Sequence, residues 1–235
     1  PRLPLAIEPH RIDEPRVTRR HPWLSAARTQ ALLERGRTGG VSLPLVFAAA
    51  FSEVLARWSA EPEFLLNVPL FDREMLHTSV AQLVGDFTNL VLLAVDARKP
   101  AAFQDRARAI QDRFRSDVAN ADYSGVEVLR DLARAQPGAG IRAPVVFTSA
   151  LSMGELFDPR VRACFGEVSW MISQTSQVWL DCQVIEHAGG VLVNWDAVAQ
   201  LFASGVLDTM FDAYVRLLEL LSEPQADWNN LTPCV

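Results

Sequence analysis

Four stretches of the chain set polar side chains inside runs that are otherwise apolar, and these are where its chemistry is to be sought. They are Gly85 to Leu93 (GDFTNLVLL), Pro144 to Leu151 (PVVFTSAL), Ser173 to Asp181 (SQTSQVWLD) and the pair Trp195-Asp196, which follows Asp181 after thirteen intervening residues. A carboxyl group on a strand can give and take a proton, and a nearby hydroxyl can orient it or a substrate. With a period of two, Gln177, Trp179, Asp181 and Gln183 fall on one strand face, and Val178, Leu180, Cys182 and Val184 on the other. Asp181 is thus expected on a polar face and Cys182 toward an apolar one. Asp86 and Thr88 have the character of a turn and of the first residue of a strand. Trp195-Asp196 is expected to pin the start of the final helix, because aspartate is a good N-cap. Trp58 and Trp179 are expected to pack, and Trp179 on the polar face is also placed to line a substrate tunnel.

Several other chemistries are excluded. The sequence has no GxSxG nucleophile elbow and no GxxxxGK[ST] phosphate loop. His10, His21, His77 and His187 are scattered, so no histidine-based catalytic motif is formed. Cys164, Cys182 and Cys234 are odd in number and lack ligand spacing, which argues against a disulfide framework or a metal site and for the reducing cytoplasm. A net charge of −6 speaks against a nucleic-acid partner. Arg16, Arg19, Arg20 and Arg28 form a sparse cluster in a Pro-rich start and are expected to be solvated linker. No apolar run approaches the roughly 18–20 residues that span a bilayer, and Pro1 to Pro9 lacks the apolar core of a signal peptide, so no membrane contact is expected.

The elements that must position these groups follow from periodicity. Prolines 1, 4, 9, 15 and 22 favour an extended connector over residues 1–22. A helix is predicted from Leu24 to Glu34, ending near Gly36, and a second from an N-cap at Ser42 to Trp58, apolar nearly all round and therefore buried. Phe64 to Phe71 reads as a strand in which Pro69 marks an edge or an end, and Phe87 to Val95 as another. Helices are predicted over Ala101 to Val118 and Gly125 to Ala135, with a break at Gln136 to Gly140. Val145 to Thr148 is a short strand, Val178 to Glu186 and Val191 to Trp195 flank a hairpin turn at Ala188-Gly189-Gly190, and Val206 to Leu221 is the last helix. Strands mixed with helices in this order predict an α+β fold: a two-layer α/β sandwich, with a mixed sheet and helices mainly on one face.

The motifs GDFTNLVLL, PVVFTSAL and SQTSQVWLD with its following Trp195-Asp196, in this order and spacing, resemble those of heterocyclization-type condensation domains of nonribosomal peptide synthetases. Leu55-Ala56-Arg57-Trp58 and the opening Leu3-Pro4-Leu5 also resemble that family, and the resemblance runs to about residue 228. It implies a chloramphenicol-acetyltransferase-like lobe, divided as a connector from a missing N-terminal lobe at 1–22, the C-terminal lobe at 23–222, and the start of a downstream linker at 223–235. It further implies that a carrier-bound acyl or peptidyl group is joined to a carrier-bound Cys, Ser or Thr and cyclodehydrated to a thiazoline or oxazoline. Asp181 and Thr148 would be catalytic, and Gln177, Trp179 and Ser149 would position substrate. No metal or resident cofactor is implied, since phosphopantetheine arrives on the partner carrier proteins. The other implied partners are the N-terminal lobe, which carries a DxxxxDxxS motif not found here, and a downstream adenylation domain. Two departures stand out: Ser176 replaces a proline, and Cys182 stands where many relatives have histidine. They keep open a non-catalytic or condensation-only member that acts as a carrier-protein docking module.

Overall fold

The computed structural model describes residues 1–71, 73–136, 143–151, 153–154, 158–166, 171–172, 177–231 and 233. The strands are β1 (Val17–Arg20), β2 (Trp23–Leu24), β3 (Glu63–Phe71), β4 (Thr88–Asp96), β5 (Val145–Ala150), β6 (Leu180–His187) and β7 (Gly190–Val198). The helices are α1 (Ala26–Gly39), α2 (Leu43–Trp58), α3 (Phe103–Val118), α4 (Gly125–Ala135), α5 (Pro159–Phe165) and α6 (Val206–Ser222). The strands make one mixed sheet in the order β1-β7-β6-β5-β3-β4, with β2 also pairing with β7. β5 runs parallel to both β3 and β6, and the remaining pairs are antiparallel. The α+β class and the mixed sheet are as the periodicity predicts.

The core lies between the sheet and a layer built around α2. This helix touches α1, α3 and α6 and lies against β6, which accounts for its having no polar face. Phe51 of α2 packs on Phe147 of β5, Trp195 of β7 and Tyr214 of α6, with the Trp195 ring stacked on Tyr214 and edge-on to Phe211. Cys182 joins this side, fully buried, with its Sγ 3.9 Å from the Tyr214 hydroxyl. Val145, Phe147, Leu180, Cys182, Val184, Val193 and Trp195 therefore form the helix-covered face. The opposite face of β5, β6, β7 and β1 carries the polar side chains. α4 sits at the far edge, where Gly125 approaches Leu90 and Leu92 of β4.

Several local expectations are corrected. α1 runs on to Gly39: Gly36 sits inside it, where a side chain would press on the Val41 carbonyl at 2.7 Å, and the stop comes at Gly40 with φ 74°. β3 is an inner strand, with β4 outside it. Pro69 is tolerated there two residues past the Asn67–Val146 bridge to β5. Trp195 and Asp196 lie within β7 and do not start α6, whose N-cap is Gly205. The opening stretch supplies β1, a buried Leu3 and a bridge from Leu5 to Phe202. Two of its arginines are not solvated linker, because Arg19 pairs with Asp196 and Arg20 with Asp208, whereas Arg16 is exposed. Trp228 in the tail is buried against Phe103 and donates to the Leu221 carbonyl. The break at 137–140 and Ser173 to Ser176, including the proline replacement, lie outside the described residues. Among the described residues no single helix is long and apolar enough to cross a membrane.

Two contacts make the packing testable. Arg106 of α3 forms a buried ion pair with Glu53 of α2 and donates to the carbonyls of Asp96 and Lys99, fastening both helices to the end of β4. Burial pushes the Glu53 carboxyl pKa up, and Arg106 pulls it back. A carboxyl whose pKa is raised by folding contributes most below its unfolded pKa and loses that contribution as pH rises through the raised value. Arg106→Met removes the opposing cation, so it should cost about 3–5 kcal/mol near neutral pH. That cost should shrink as acid protonates Glu53, which urea unfolding at several pH values will read. At Gly190 an added Cβ would lie 2.2 Å from the Leu24 carbonyl oxygen of β2. Gly190→Ala should therefore cost about 1–3 kcal/mol in the same assay.

Candidate active site

β5 and β6 bring the first two polar groups together. β6 is buried along most of its length and β5 through its first half, as suits parallel neighbours inside a sheet. Their register sets Val146 beside Asp181 and Thr148 beside Gln183. Thr148 is then one step diagonal to Asp181 on the face away from the helices, and its Oγ1 lies 3.2 Å from Asp181 Oδ1 as donor. The second Asp181 oxygen accepts from Gln183 Nε2 at 2.7 Å. Asp181 is only 7% exposed, whereas Thr148 is half-buried and opens the pair to the surface.

The same face continues across β7 to β1. Asp196 lies opposite Asp181 in the antiparallel register, and Arg19 opposite Asp196. The guanidinium grips Asp196 with both prongs, Nε to Oδ1 at 2.7 Å and Nη2 to Oδ2 at 2.5 Å, and Nη2 reaches Gln183 Oε1 at 3.3 Å. An unbroken chain of hydrogen bonds thus runs from Thr148 through Asp181, Gln183 and Arg19 to Asp196. Asn194 sits opposite Gln183, 1% exposed, and among the described residues neither of its amide atoms has a hydrogen-bond partner. A buried amide rarely stays unmatched, so the face has hydrogen-bonding capacity to spare at that position.

Of the five residues singled out from the sequence, the structure joins Thr148 and Asp181 by a hydrogen bond. The period-two assignment to the Asp181 face is corrected for Gln177, because β6 begins only at Leu180. Gln177 is exposed with φ 68°, a left-handed conformation that breaks any alternation before the strand. Trp179 is half-buried against the core, with its backbone tied to Pro144 and Val198. Ser149 is one residue from Thr148 and so points to the opposite side of the sheet, where its hydroxyl accepts from Leu151 N at 3.4 Å. The Cys182 assignment to the apolar side is met. Burial drives its thiol pKa far up, so it stays protonated and serves packing. Asp86 accepts from the Thr88 amide at 2.9 Å in a turn leading into β4, as its local chemistry predicts.

The sequence pattern sets Gln183 on the Asp181 face and marks Trp195-Asp196, but it does not identify Gln183, Asn194, Asp196 and Arg19 as a network around Asp181. The signal available was alternation in Val193-Asn194-Trp195-Asp196-Ala197, where polar groups opposite apolar ones require partners on their own face. What the arrangement can do follows from its donors. The Asp181 carboxyl is fixed by a bond to each oxygen. Thr148, having spent its proton on Asp181, keeps lone pairs to accept from an N–H or O–H of a bound group. Such a pair suits proton transfer at a reacting centre next to Thr148. Among the described residues no three His, Cys, Asp or Glu side chains gather into a metal-binding group.

The Condensation domain family model matches residues 10–232. The phenyloxazoline synthase MbtB of Mycobacterium tuberculosis is 48% identical over 221 residues, covering 94% of this chain and 16% of the relative. Pyochelin synthetase PchF of Pseudomonas aeruginosa is 40% identical over 235 residues, covering 98% of this chain and 13% of that protein. Among solved structures, the EpoB cyclization-docking bidomain of the nonribosomal peptide synthetase from Sorangium cellulosum superposes with a TM-score of 0.86 at 35% identity, covering 98% of this chain and 46% of that one. The chain therefore spans a small part of the curated relatives and about half of the solved bidomain. By sequence and by fold, it belongs to the condensation-domain family.

Proposed function

We propose that this chain supplies one face of a heterocyclization active site, in which a carrier-bound acyl or peptidyl group is joined to carrier-bound Cys, Ser or Thr and closed to a thiazoline or oxazoline. The observation that carries this reading is the Thr148–Asp181 hydrogen bond, 3.2 Å long, on the sheet face away from the helices. The relatives support it: one is a phenyloxazoline synthase and another a cyclization bidomain.

In the ring-forming step the side-chain sulfur or oxygen of the acceptor adds to the new amide carbonyl carbon, and its proton passes to the carbonyl oxygen. The resulting hemiaminal then loses its hydroxyl as water while the nitrogen gives up its proton and the C=N bond forms. Hydroxide is a poor leaving group, so a group that protonates the departing oxygen and deprotonates the nitrogen lowers the barrier. Asp181 takes both roles in turn, and Thr148 holds the carboxyl while accepting from the hemiaminal. Phosphopantetheine on upstream and downstream carrier proteins delivers both substrates, an N-terminal lobe closes the opposite side of the cleft, and a downstream adenylation domain loads the acceptor.

A condensation-only or docking role is the second reading. Of the two features that suggested it, Cys182 lies buried on the helix-covered side, away from the Thr148–Asp181 pair, so its departure from histidine leaves that pair intact. The test joins this chain to its N-terminal lobe, supplies acyl-loaded and Cys-loaded carrier proteins, and follows products by mass spectrometry. Wild type should give the ring and Asp181→Ala the linear amide, one water heavier, with ring formation reduced at least about 100-fold. Thr148→Val should fall in the same sense by a smaller factor. A wild type that stops at the linear amide would falsify the cyclization reading and leave condensation alone.

A further inference from the structure

Asp181 and Asp196 face each other across β6 and β7, both nearly buried. Directly opposed side chains on neighbouring strands stand about 4.5–5.5 Å apart at Cβ, and like charges there repel. The structure reconciles the two carboxylates with two groups. Arg19 neutralises Asp196 through a two-pronged contact, and the Gln183 amide lies between the acids, 2.7 Å from Asp181 Oδ2 and 3.4 Å from Asp196 Oδ2.

The orientation of that amide follows from the charges around it. Gln183 Oε1 lies 3.3 Å from the Arg19 guanidinium, and its Nε2 faces the carboxylates. The flipped amide would set N–H against a cation and a carbonyl against Asp181, losing both bonds. Arg19 therefore selects the way Gln183 points, and Gln183 holds the second oxygen of Asp181. With Thr148 on the first oxygen, the carboxyl plane is fixed.

We propose that Gln183 is a positioning residue for ring formation, anchored by the Arg19–Asp196 pair. The inference rests on the reading of Asp181 as the proton-transfer group. It gives strand β1 a part in cyclodehydration, because the cation that orients the site comes from the opening stretch of the chain, 164 residues from Gln183. A carboxyl freed to rotate would still be present but misaimed, and misplacement of about 1 Å can cost as much as ~100-fold in a chemical step.

The experiment uses the same two-lobe domain and loaded carriers, and quantifies linear amide and ring separately. Gln183→Glu keeps the shape and replaces the N–H donor by an oxygen, and Gln183→Leu removes the amide without adding charge. Both should shift the ring-to-amide ratio toward the linear product by about tenfold or more. Arg19→Met should shift it the same way, and Arg19→Lys, which restores the charge, should recover part of the ratio. Thermal unfolding of each variant is measured alongside. The inference is overturned if both Gln183 variants close the ring at the wild-type ratio while Asp181→Ala does not, an outcome that leaves the role of Asp181 standing. It is also overturned if amide and ring fall together in proportion to lost folded protein, the signature of a structural role. Normal ring closure by Asp181→Ala overturns both readings at once.

Discussion

A carboxylate taken almost out of water must be matched by donors, and the polar face of this sheet is organised by that requirement. Two aspartates lie side by side on β6 and β7, where their charges oppose each other. Burial of such a pair is tolerable only with a cation and hydrogen bonds in place. Arg19 from β1 supplies the cation, Gln183 bridges the acids and Thr148 from β5 completes the set. Four strands contribute to one network, so the register of the sheet and the geometry of the site are one constraint.

The helical layer is what holds that register. A one-residue slip of β6 would turn Asp181 into the core and Cys182 onto the polar face. The slip is opposed because Leu180, Cys182 and Val184 are fully buried beneath α2 and α6. On β7, Trp195 sits among Phe51, Phe211 and Tyr214, and the residues on either side of it, Asn194 and Asp196, are thereby directed to the other side. Apolar packing on one face thus aims the polar groups on the other, and it does so by the alternation of a strand alone.

Membership of the condensation-domain family and the observed geometry bear on different questions. The family matches run along nearly the whole chain and account for the layered fold. The geometry says which groups of the shared motifs meet. Thr148 and Asp181 do, while Ser149, one residue away in the same motif, points into the other layer. Cys182, beside Asp181 in sequence, belongs to the core, and its unusual identity is a packing matter.

Much of the architecture was legible from local pattern. The all-round apolar character of Leu43 to Trp58 announced a central helix, the Ala188-Gly189-Gly190 signal announced the β6–β7 hairpin, and α4 was read at its observed bounds. The faces of Asp181 and Cys182 were also readable, since alternation is a property of consecutive residues. Beyond the strand the rule gave out: the positive φ at Gln177 breaks the alternation before β6 and removes that residue from the face assigned to it. The network around Asp181 was not readable. Arg19 looked like solvated linker and Asp196 like a helix cap, because what each does depends on pairings across 177 and 164 residues of chain. Sequence determined which side chains could be catalytic and which faces were apolar, both being local properties. Only tertiary structure decided which acid met which donor, because hydrogen bonds across a sheet depend on strand order and register.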